Sequence, residues 1–159
     1  MHNDGFTLVE LMVVIGIVAI LALMAIPSYQ HKIVRDQIVE ALPLADLATR
    51  PIALSWTLMR SFPVDNASAG LPADEKIVSN LVRTLSVRKG AIHLTFGNRA
   101  NGRINGKVLT LRPAVVEDAP IVPVAWICGH APVPDKMTVK GENKTSVPAA
   151  YLPYKCRSD

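Results

Sequence analysis

An uninterrupted apolar run near the start of the chain constrains this sequence more than any other feature. Its sixteen residues, Leu11 to Ile26, include no charged side chain. Counted from Phe6, the stretch reaches the roughly 20 residues that cross a bilayer as a helix. One carboxylate, Glu10, lies inside it, and an acidic side chain in hydrocarbon costs about 2.5 to 3.5 kcal/mol on insertion scales. The run therefore predicts a membrane helix whose acidic residue needs a specific partner.

Three explanations of this segment compete. A secretory signal peptide is disfavoured, because it would begin with basic residues and end at a small-residue cleavage site, whereas Pro27-Ser28-Tyr29 follows the run. A permanent membrane anchor would place Glu10 near the interface, where a carboxylate is tolerated. An anchor that later leaves the membrane would give Glu10 a partner outside the lipid. The residues alone leave the last two explanations open.

The residues around Glu10 resemble the processing site of a type IV prepilin. The string Gly5-Phe6-Thr7-Leu8-Val9-Glu10 has the glycine, the phenylalanine and the glutamate offset of that family, followed by its long apolar run. The resemblance implies that a prepilin peptidase cleaves after Gly5 and methylates the new amino terminus at Phe6. It also implies that Glu10 pairs with the amino terminus of a neighbouring subunit, and that Pro27 kinks the helix. The leader, residues 1–5, departs from the pattern because it has no Lys or Arg.

Length and cysteine content describe the rest of the chain. With 159 residues, the chain fits one membrane segment and one soluble domain. The roughly 100 residues beyond the long helix make a small core that benefits from a covalent staple. Cys128 and Cys156 lie in the part that would be exported, where disulfides persist. The resemblance places them where type IVa pilins close a carboxy-terminal loop. The scattered histidines and single cysteine pair predict neither a metal site nor a cofactor.

The segment after Pro27 has the pattern of an amphipathic helix. Its apolar residues recur at helical spacing, with charged residues on the opposite side. They are Val34, Ile38, Ala41, Ala45, Ala48, Ile52 and Met59. Pro43 and Pro51 each remove a backbone donor, so the helix either kinks or ends there. An alternative is a break at residues 49–51, followed by a second short helix through Trp56.

A further apolar row follows the same helix. It consists of Leu44, Leu47, Leu54 and Leu58. Two explanations remain open: the row widens the core of the domain, or it is buried against helices of other subunits.

The second half of the chain has the alternating pattern of strands. Four are predicted, at residues 81–87, 91–96, 107–112 and 122–128, and the turn signals between them favour an antiparallel meander. The predicted fold class is α+β, with a long amino-terminal helix on a four-stranded sheet and a disulfide loop at the carboxyl end. The predicted segments are a leader (1–5), an apolar helix (6–29) and a head (30–159). The head divides into an amphipathic half-helix (30–59), a loop (60–80), a sheet (81–128) and the disulfide loop (128–156).

Basic residues cluster in the sheet region without acidic residues between them. They are Arg83, Arg88, Lys89, Arg99, Arg103 and Lys107. Such a stripe could contact nucleic-acid phosphates. Few aromatic residues accompany it in the sequence, so base-stacking platforms are missing. The alternatives are a solvated surface and charge complementarity with neighbouring subunits.

No catalytic motif is present, so the sequence predicts a protein that is not an enzyme. The resemblance implies a structural subunit of a type IV pilus, whose main partner is a second copy of itself. It implies an inner-membrane precursor in a Gram-negative bacterium, handled by the prepilin peptidase and the inner-membrane pilus assembly machinery. Adhesion to host or surface receptors, twitching motility and DNA uptake are the implied roles.

Three alternatives to this function are kept. The first is a minor pilin whose basic head binds DNA. The second is a pseudopilin of type II secretion, which Cys128 and Cys156 disfavour because pseudopilins usually lack that loop. The third is a membrane-anchored periplasmic domain. Two triplets, beginning at Asn66 and Asn143, also fit the N-glycosylation pattern.

Overall fold

The computed structural model describes residues 5–158, apart from the side chains of residues 26–28. The chain divides into two compact units, Met1–Ile33 and Val34–Asp159. The long helix α1 spans Leu8–Ala41, so the division falls within it. The helical assignment continues through Pro27, whose side chain lies outside the described part, and the kink there stays a prediction.

The first unit consists of the apolar end of α1 and the residues before it. Its described side chains are exposed as far as residue 25, with Phe6 91% exposed. Among the described residues, one helical stretch has the length and apolar composition needed to cross a membrane, and it begins at Leu8. An apolar helix without intramolecular cover is stable only in lipid or against other chains.

In the second unit, a buried stripe follows the helical segments. It consists of Val34, Ile38, Ala41, Ala45, Ala48, Ile52 and Trp56. Their spacing of three and four residues places them on one side, as predicted. Met59 is an exception: it was predicted in the stripe but is exposed, because the helix ends there and Arg60 adopts a left-handed φ of 55°.

The helix is interrupted once within the head. A 3-10 turn, Leu42–Ala45, follows α1, and α2 then spans Asp46–Met59. Pro43 lies in the first turn of the 3-10 segment, immediately after the end of α1. Pro51 lies inside α2 without ending it. The alternative break at residues 49–51 is therefore wrong, and the interruption lies at Pro43.

Four strands form the predicted antiparallel meander. They are β1 (Val82–Arg88), β2 (Ala91–Phe96), β3 (Val108–Val115) and β4 (Ala125–Cys128), in the order β1-β2-β3-β4. A two-residue strand, β5 (Thr138–Val139), also pairs with β3. It was missed because two residues show no alternation. On the core face, Leu85, Leu94 and Leu109 are directly opposite one another across three strands and fully buried.

The opposite face of the sheet is polar and covered by the carboxy-terminal loop. Ser86, His93 and Thr110 form a cross-strand row. The backbone N–H of Lys144 donates to Thr110 Oγ1 at 3.0 Å, and Thr145 Oγ1 accepts from the Thr110 N–H at 3.1 Å. Backbone and hydroxyl hydrogen bonds therefore hold this part of the loop on the sheet.

A buried asparagine attaches the loop before the sheet to the outer edge of β1. Asn66 Oδ1 accepts from the Val87 N–H at 2.6 Å, and its Nδ2 donates to the carbonyls of Leu85 and Pro72, both at 3.0 Å. The side-chain amide thus satisfies an edge strand as a neighbouring strand would. Asn66 is only 3% exposed, so its glycosylation triplet is inaccessible in the folded head.

Candidate functional site

The region around Glu10 forms a capping box at the start of α1. Glu10 Oε2 accepts from the Thr7 N–H at 2.9 Å and from the Thr7 hydroxyl at 2.8 Å. Thr7 Oγ1 in turn accepts from the Glu10 N–H at 3.3 Å. This reciprocal pairing satisfies backbone donors that a helix start leaves unpaired. In the isolated subunit, Glu10 therefore has a local partner.

Sequence reasoning singled out Glu10 but missed Thr7. The signal was present, because a threonine followed three residues later by a glutamate before an apolar run is the capping-box pattern. Gly5 and Phe6 precede the helix and are exposed, so the predicted cleavage position lies on accessible chain. The assembly role of Glu10 and the processing of Phe6 stay predictions.

The fold does not keep the six predicted basic residues in one stripe. Arg83 lies at the start of the β1–β2 hairpin, while Arg88 and Lys89 lie at its turn. About six residues of strand at roughly 3.3 Å each separate the two ends by about 20 Å. Arg88 also forms an ion pair with Asp74 at 2.8 Å.

The other three basic residues lie in or beside the β2–β3 connection. Arg99 and Arg103 belong to this loop, and Lys107 ends it immediately before β3. The Arg103 guanidinium donates to the Tyr151 hydroxyl at 2.6 Å. Arg83 lies at the same end of the hairpin as this connection, since Val82 pairs with Phe96, so the predicted nucleic-acid contact is divided between this end and the turn that contains Arg88 and Lys89.

A different cationic cluster arises only in the folded chain. Arg35 of α1 and Arg157 near the carboxyl end each donate an Nη2 hydrogen bond to the Ala150 carbonyl at 3.2 Å. Their guanidinium carbons lie 5.3 and 4.9 Å from the centroid of the Tyr154 ring, within cation–π distance. Sequence analysis missed this cluster because 122 positions separate the two arginines.

The second apolar row is not part of the core. Leu47, Leu54 and Leu58 are exposed by 56 to 71%. Leu44 and Leu47 also line a cavity of about 310 Å³ with Leu71, Pro72, Lys76, Ile77 and Val78. The explanation as a wider core is therefore wrong for these three residues, and the head presents an apolar helix face to its surroundings.

Two cysteines close the carboxy-terminal loop, and one buried histidine lies beneath it. The disulfide joins Cys128 of β4 to Cys156, as predicted, and both are buried. His93 is 4% exposed, and its Nδ1 lies 2.9 Å from Thr110 Oγ1. Burial, together with the charges of Lys144 and Arg88, lowers the pKa of His93 to about 4. Within residues 5–158, no cluster of three His, Cys, Asp or Glu side chains suits a metal ion.

The chain thus combines an exposed apolar helix that begins at a capped glutamate with a head in which a helix packs on a disulfide-closed sheet. This is the architecture of a filament subunit with a membrane-anchored precursor, and the comparisons with known proteins agree. The sequence matches the pilin (bacterial filament) family over residues 34–157, and the prokaryotic N-terminal methylation motif over residues 1–26. The chain belongs to the type IV pilin family. It is a pilus subunit, made as a membrane-anchored precursor and incorporated into a surface filament.

Known relatives cover nearly the whole chain. The type IV major pilin protein PilE of Neisseria gonorrhoeae is 35% identical over 99% of this chain and 95% of its own length. A fimbrial protein of Neisseria meningitidis serogroup B is 32% identical over 98% and 94%. The fimbrial protein EcpC of Eikenella corrodens is 31% identical over 98% and 92%.

Proposed function

We propose that the chain is cleaved after Gly5, methylated at Phe6 and assembled through Glu10 as the main structural subunit of a type IV pilus. The observation that supports this most directly is the accessible carboxylate of Glu10 at the start of an uncovered apolar helix. Cleavage creates a cation at Phe6, four residues before Glu10. Thr7 holds the carboxylate until the amino group of a neighbouring subunit replaces it.

The apolar helix supplies the driving force of assembly, and Glu10 supplies the register. Contacts with other helices replace lipid contacts, so apolar packing alone would allow sliding along the filament axis. A carboxylate and an amine buried together fix one axial position. Removing one partner of a buried pair costs about 3 to 5 kcal/mol, enough to abolish incorporation at that position.

The experiment is mass and amino-terminal analysis of filaments sheared from the native host. A chain beginning at methylated Phe6, two mass units lighter for its disulfide, is the expected result. Glu10→Ala and Glu10→Gln are expected to leave the precursor in the membrane and no filament outside. Thr7→Val is the matched control, because it removes the cap but keeps the carboxylate. An uncleaved chain found only in membranes would contradict the proposal.

We further propose that the exposed face of α2 packs against other subunits in the filament. Leu47, Leu54 and Leu58 recur at i, i+7 and i+11, which places them in one line along the helix. Leu54→Ser with Leu58→Ser is expected to reduce filament yield while the urea midpoint of the subunit stays unchanged. An exposed valine elsewhere, Val64→Ser, is the control. Normal filaments from the double variant would refute this contact.

For the whole filament we propose adhesion and twitching motility in a Gram-negative host, with export by the prepilin peptidase and the inner-membrane assembly machinery. DNA uptake is the rival role. The test is DNA binding by the unchanged chain and by a triple variant with Arg83→Ala, Arg88→Ala and Arg103→Ala. Affinity that falls steeply with salt in the unchanged chain and is lost in the triple variant would favour uptake. No DNA binding by the unchanged chain at low salt would exclude the basic-stripe mechanism.

A further inference from the structure

Two arginines of the head converge on one carbonyl oxygen. The Nη2 atoms of Arg35 and Arg157 each lie 3.2 Å from the oxygen of Ala150. The two nitrogens can therefore be separated by no more than twice that distance. Arg157 is fixed further, because its Nε donates to the Leu152 carbonyl at 2.7 Å. Two positive groups held this close repel each other, so an anion beside them would be attracted by both.

No carboxylate balances this pair in the described part of the chain. The ion pairs among residues 5–158 are Arg88–Asp74, Lys140–Glu117 and Lys144–Glu142. In addition, the Nε of Arg35 is buried and has no hydrogen-bond acceptor within the described residues. A buried donor without an acceptor is costly, and a guanidinium donor most of all. Among the described residues, the two arginines therefore lack an oxygen acceptor that carries negative charge.

Tyr154 places an aromatic surface beside the two arginines. It is 78% exposed, and both guanidinium groups lie within cation–π distance of its ring. The ring is thus accessible to a ligand while the two cations lie next to it. An exposed aromatic ring next to cations is the element on which single-stranded nucleic acids stack their bases.

We propose that Arg35 and Arg157 form a phosphate-binding site on the head, with Tyr154 at its side. The planar fork of arginine matches phosphate oxygens with two parallel hydrogen bonds, which a lysine cannot offer. The phosphate is either a free anion or the phosphodiester of a single strand whose base stacks on Tyr154. The site includes neither Phe6 nor Glu10, so its test is separate from the test of assembly through those residues.

The test uses the full chain in maltoside micelles, which contain no phosphate. The protein is titrated with sodium phosphate and, in a parallel experiment, with sodium chloride at equal ionic strength. The arginine Nε–H signals are followed by NMR in both titrations. Phosphate is expected to shift the Arg35 and Arg157 signals and to raise the thermal midpoint, because a ligand that binds only the folded state stabilises it. Equal responses to both salts, or no response, would overturn the proposal.

Variants assign the site to these residues. Arg157→Gln is expected to weaken phosphate binding about tenfold or more, since it removes a charge-assisted donor. Arg157→Lys keeps the charge but loses the fork, and it is expected to weaken binding as well. Arg99→Gln is the matched control, because the Arg99 side chain is exposed and lies in a different loop. If phosphate binds equally well to both Arg157 variants, the site lies elsewhere and the proposal fails.

Binding of a single-stranded oligonucleotide of ten thymidine nucleotides distinguishes the two sources of phosphate. Tighter binding of the oligonucleotide than of inorganic phosphate, lost in Tyr154→Leu and kept in Tyr154→Phe, supports the site as one for a single strand. Equal binding of both ligands, unaffected by Tyr154→Leu, supports it as a site for the free anion. Oligonucleotide binding that persists in Arg157→Gln would contradict the single-strand form, and inorganic phosphate binding that persists in the same variant would contradict both forms.

Discussion

Replacing Asn66 by alanine is expected to cost the head much of its stability. The substitution removes the hydrogen bonds to Val87, Leu85 and Pro72 while leaving those backbone groups in place. Asn66 is 3% exposed, so water cannot replace the amide without opening the loop. Each buried polar group left unpaired costs about 1 to 3 kcal/mol. With the Val87 N–H and the Leu85 carbonyl counted fully, the expected loss is about 3 to 5 kcal/mol, against about 5 to 15 kcal/mol for a whole domain.

The assay is urea unfolding of the full chain in maltoside micelles, followed by tryptophan fluorescence. Trp56 reports the folded head, because its ring is stacked on Phe62 with centroids 5.1 Å apart. Asn105→Ala is the matched control: it removes an exposed asparagine in a turn and is expected to change stability by less than about 0.5 kcal/mol.

A second substitution separates hydrogen bonding from loss of volume. Asn66→Asp keeps the shape and the acceptor for Val87, but its carboxylate faces the Leu85 and Pro72 carbonyls without a donor. It is expected to destabilise the head at pH 7 at least as much as alanine does, and to recover partly in acid, where a protonated carboxyl can donate. A loss below about 1 kcal/mol for both variants would refute the edge-strand role of Asn66.

Three further predictions follow from the head and the helix start. The pKa of His93 is lowered to about 4, so its neutral form stabilises the folded head. This contribution to the free energy of unfolding is complete above pH 6.5 and declines by up to about 3 kcal/mol between pH 6.5 and about 4. His93→Gln should flatten this part of the pH–stability curve, and an unchanged slope would contradict the assignment. Replacing Cys128 and Cys156 by serine opens a loop of 28 residues and should lower the free energy of unfolding by about 3 to 4 kcal/mol, measured by the urea midpoint, whereas an unchanged midpoint would rule out the bond as a staple. Thr7→Val removes the cap of α1 and should speed amide exchange in its first turn about five-fold, consistent with a cap contribution near 1 kcal/mol; unaltered exchange would show that the capping box is not formed in micelles.

Local patterns predicted much of this fold, but they could not decide between the two prolines. Pro43 and Pro51 each lack an N–H, and the sequence gives no reason to prefer one as the interruption. In the structure, Pro51 would deprive the Leu47 carbonyl of its helical donor, yet Leu47 lies on the exposed side, where water can replace that donor. Pro43 lies where the chain changes to a 3-10 turn. Val39, whose carbonyl loses its helical donor at Pro43, is exposed as well, so exposure of the acceptor does not explain why the helix is interrupted at one proline and not at the other.

The exposure of the second apolar row, which includes Leu47, Leu54 and Leu58, also could not be predicted from the sequence. Leu54 and Ile52 are both apolar residues of α2, yet one is exposed and the other fully buried. Periodicity identifies the rows on a helix, but only the packed sheet shows which row the head covers. The other row is left exposed, and the proposal above assigns it to contact with another copy of the chain.

By itself, the sequence determined the membrane segment, the prepilin-like start, the strand meander and the cysteine pair. These depend on uninterrupted apolarity, short spacings and two-residue alternation, all of which can be recognised along the chain. The tertiary structure alone decided the docking of Asn66 on β1, the separation of the basic stripe and the meeting of Arg35 with Arg157 and Tyr154. The contacts of Asn66 with β1 join residues 19 and 21 positions apart, and the Arg35 contact with the Ala150 carbonyl joins residues 115 positions apart. Their partners are fixed only when the core forms.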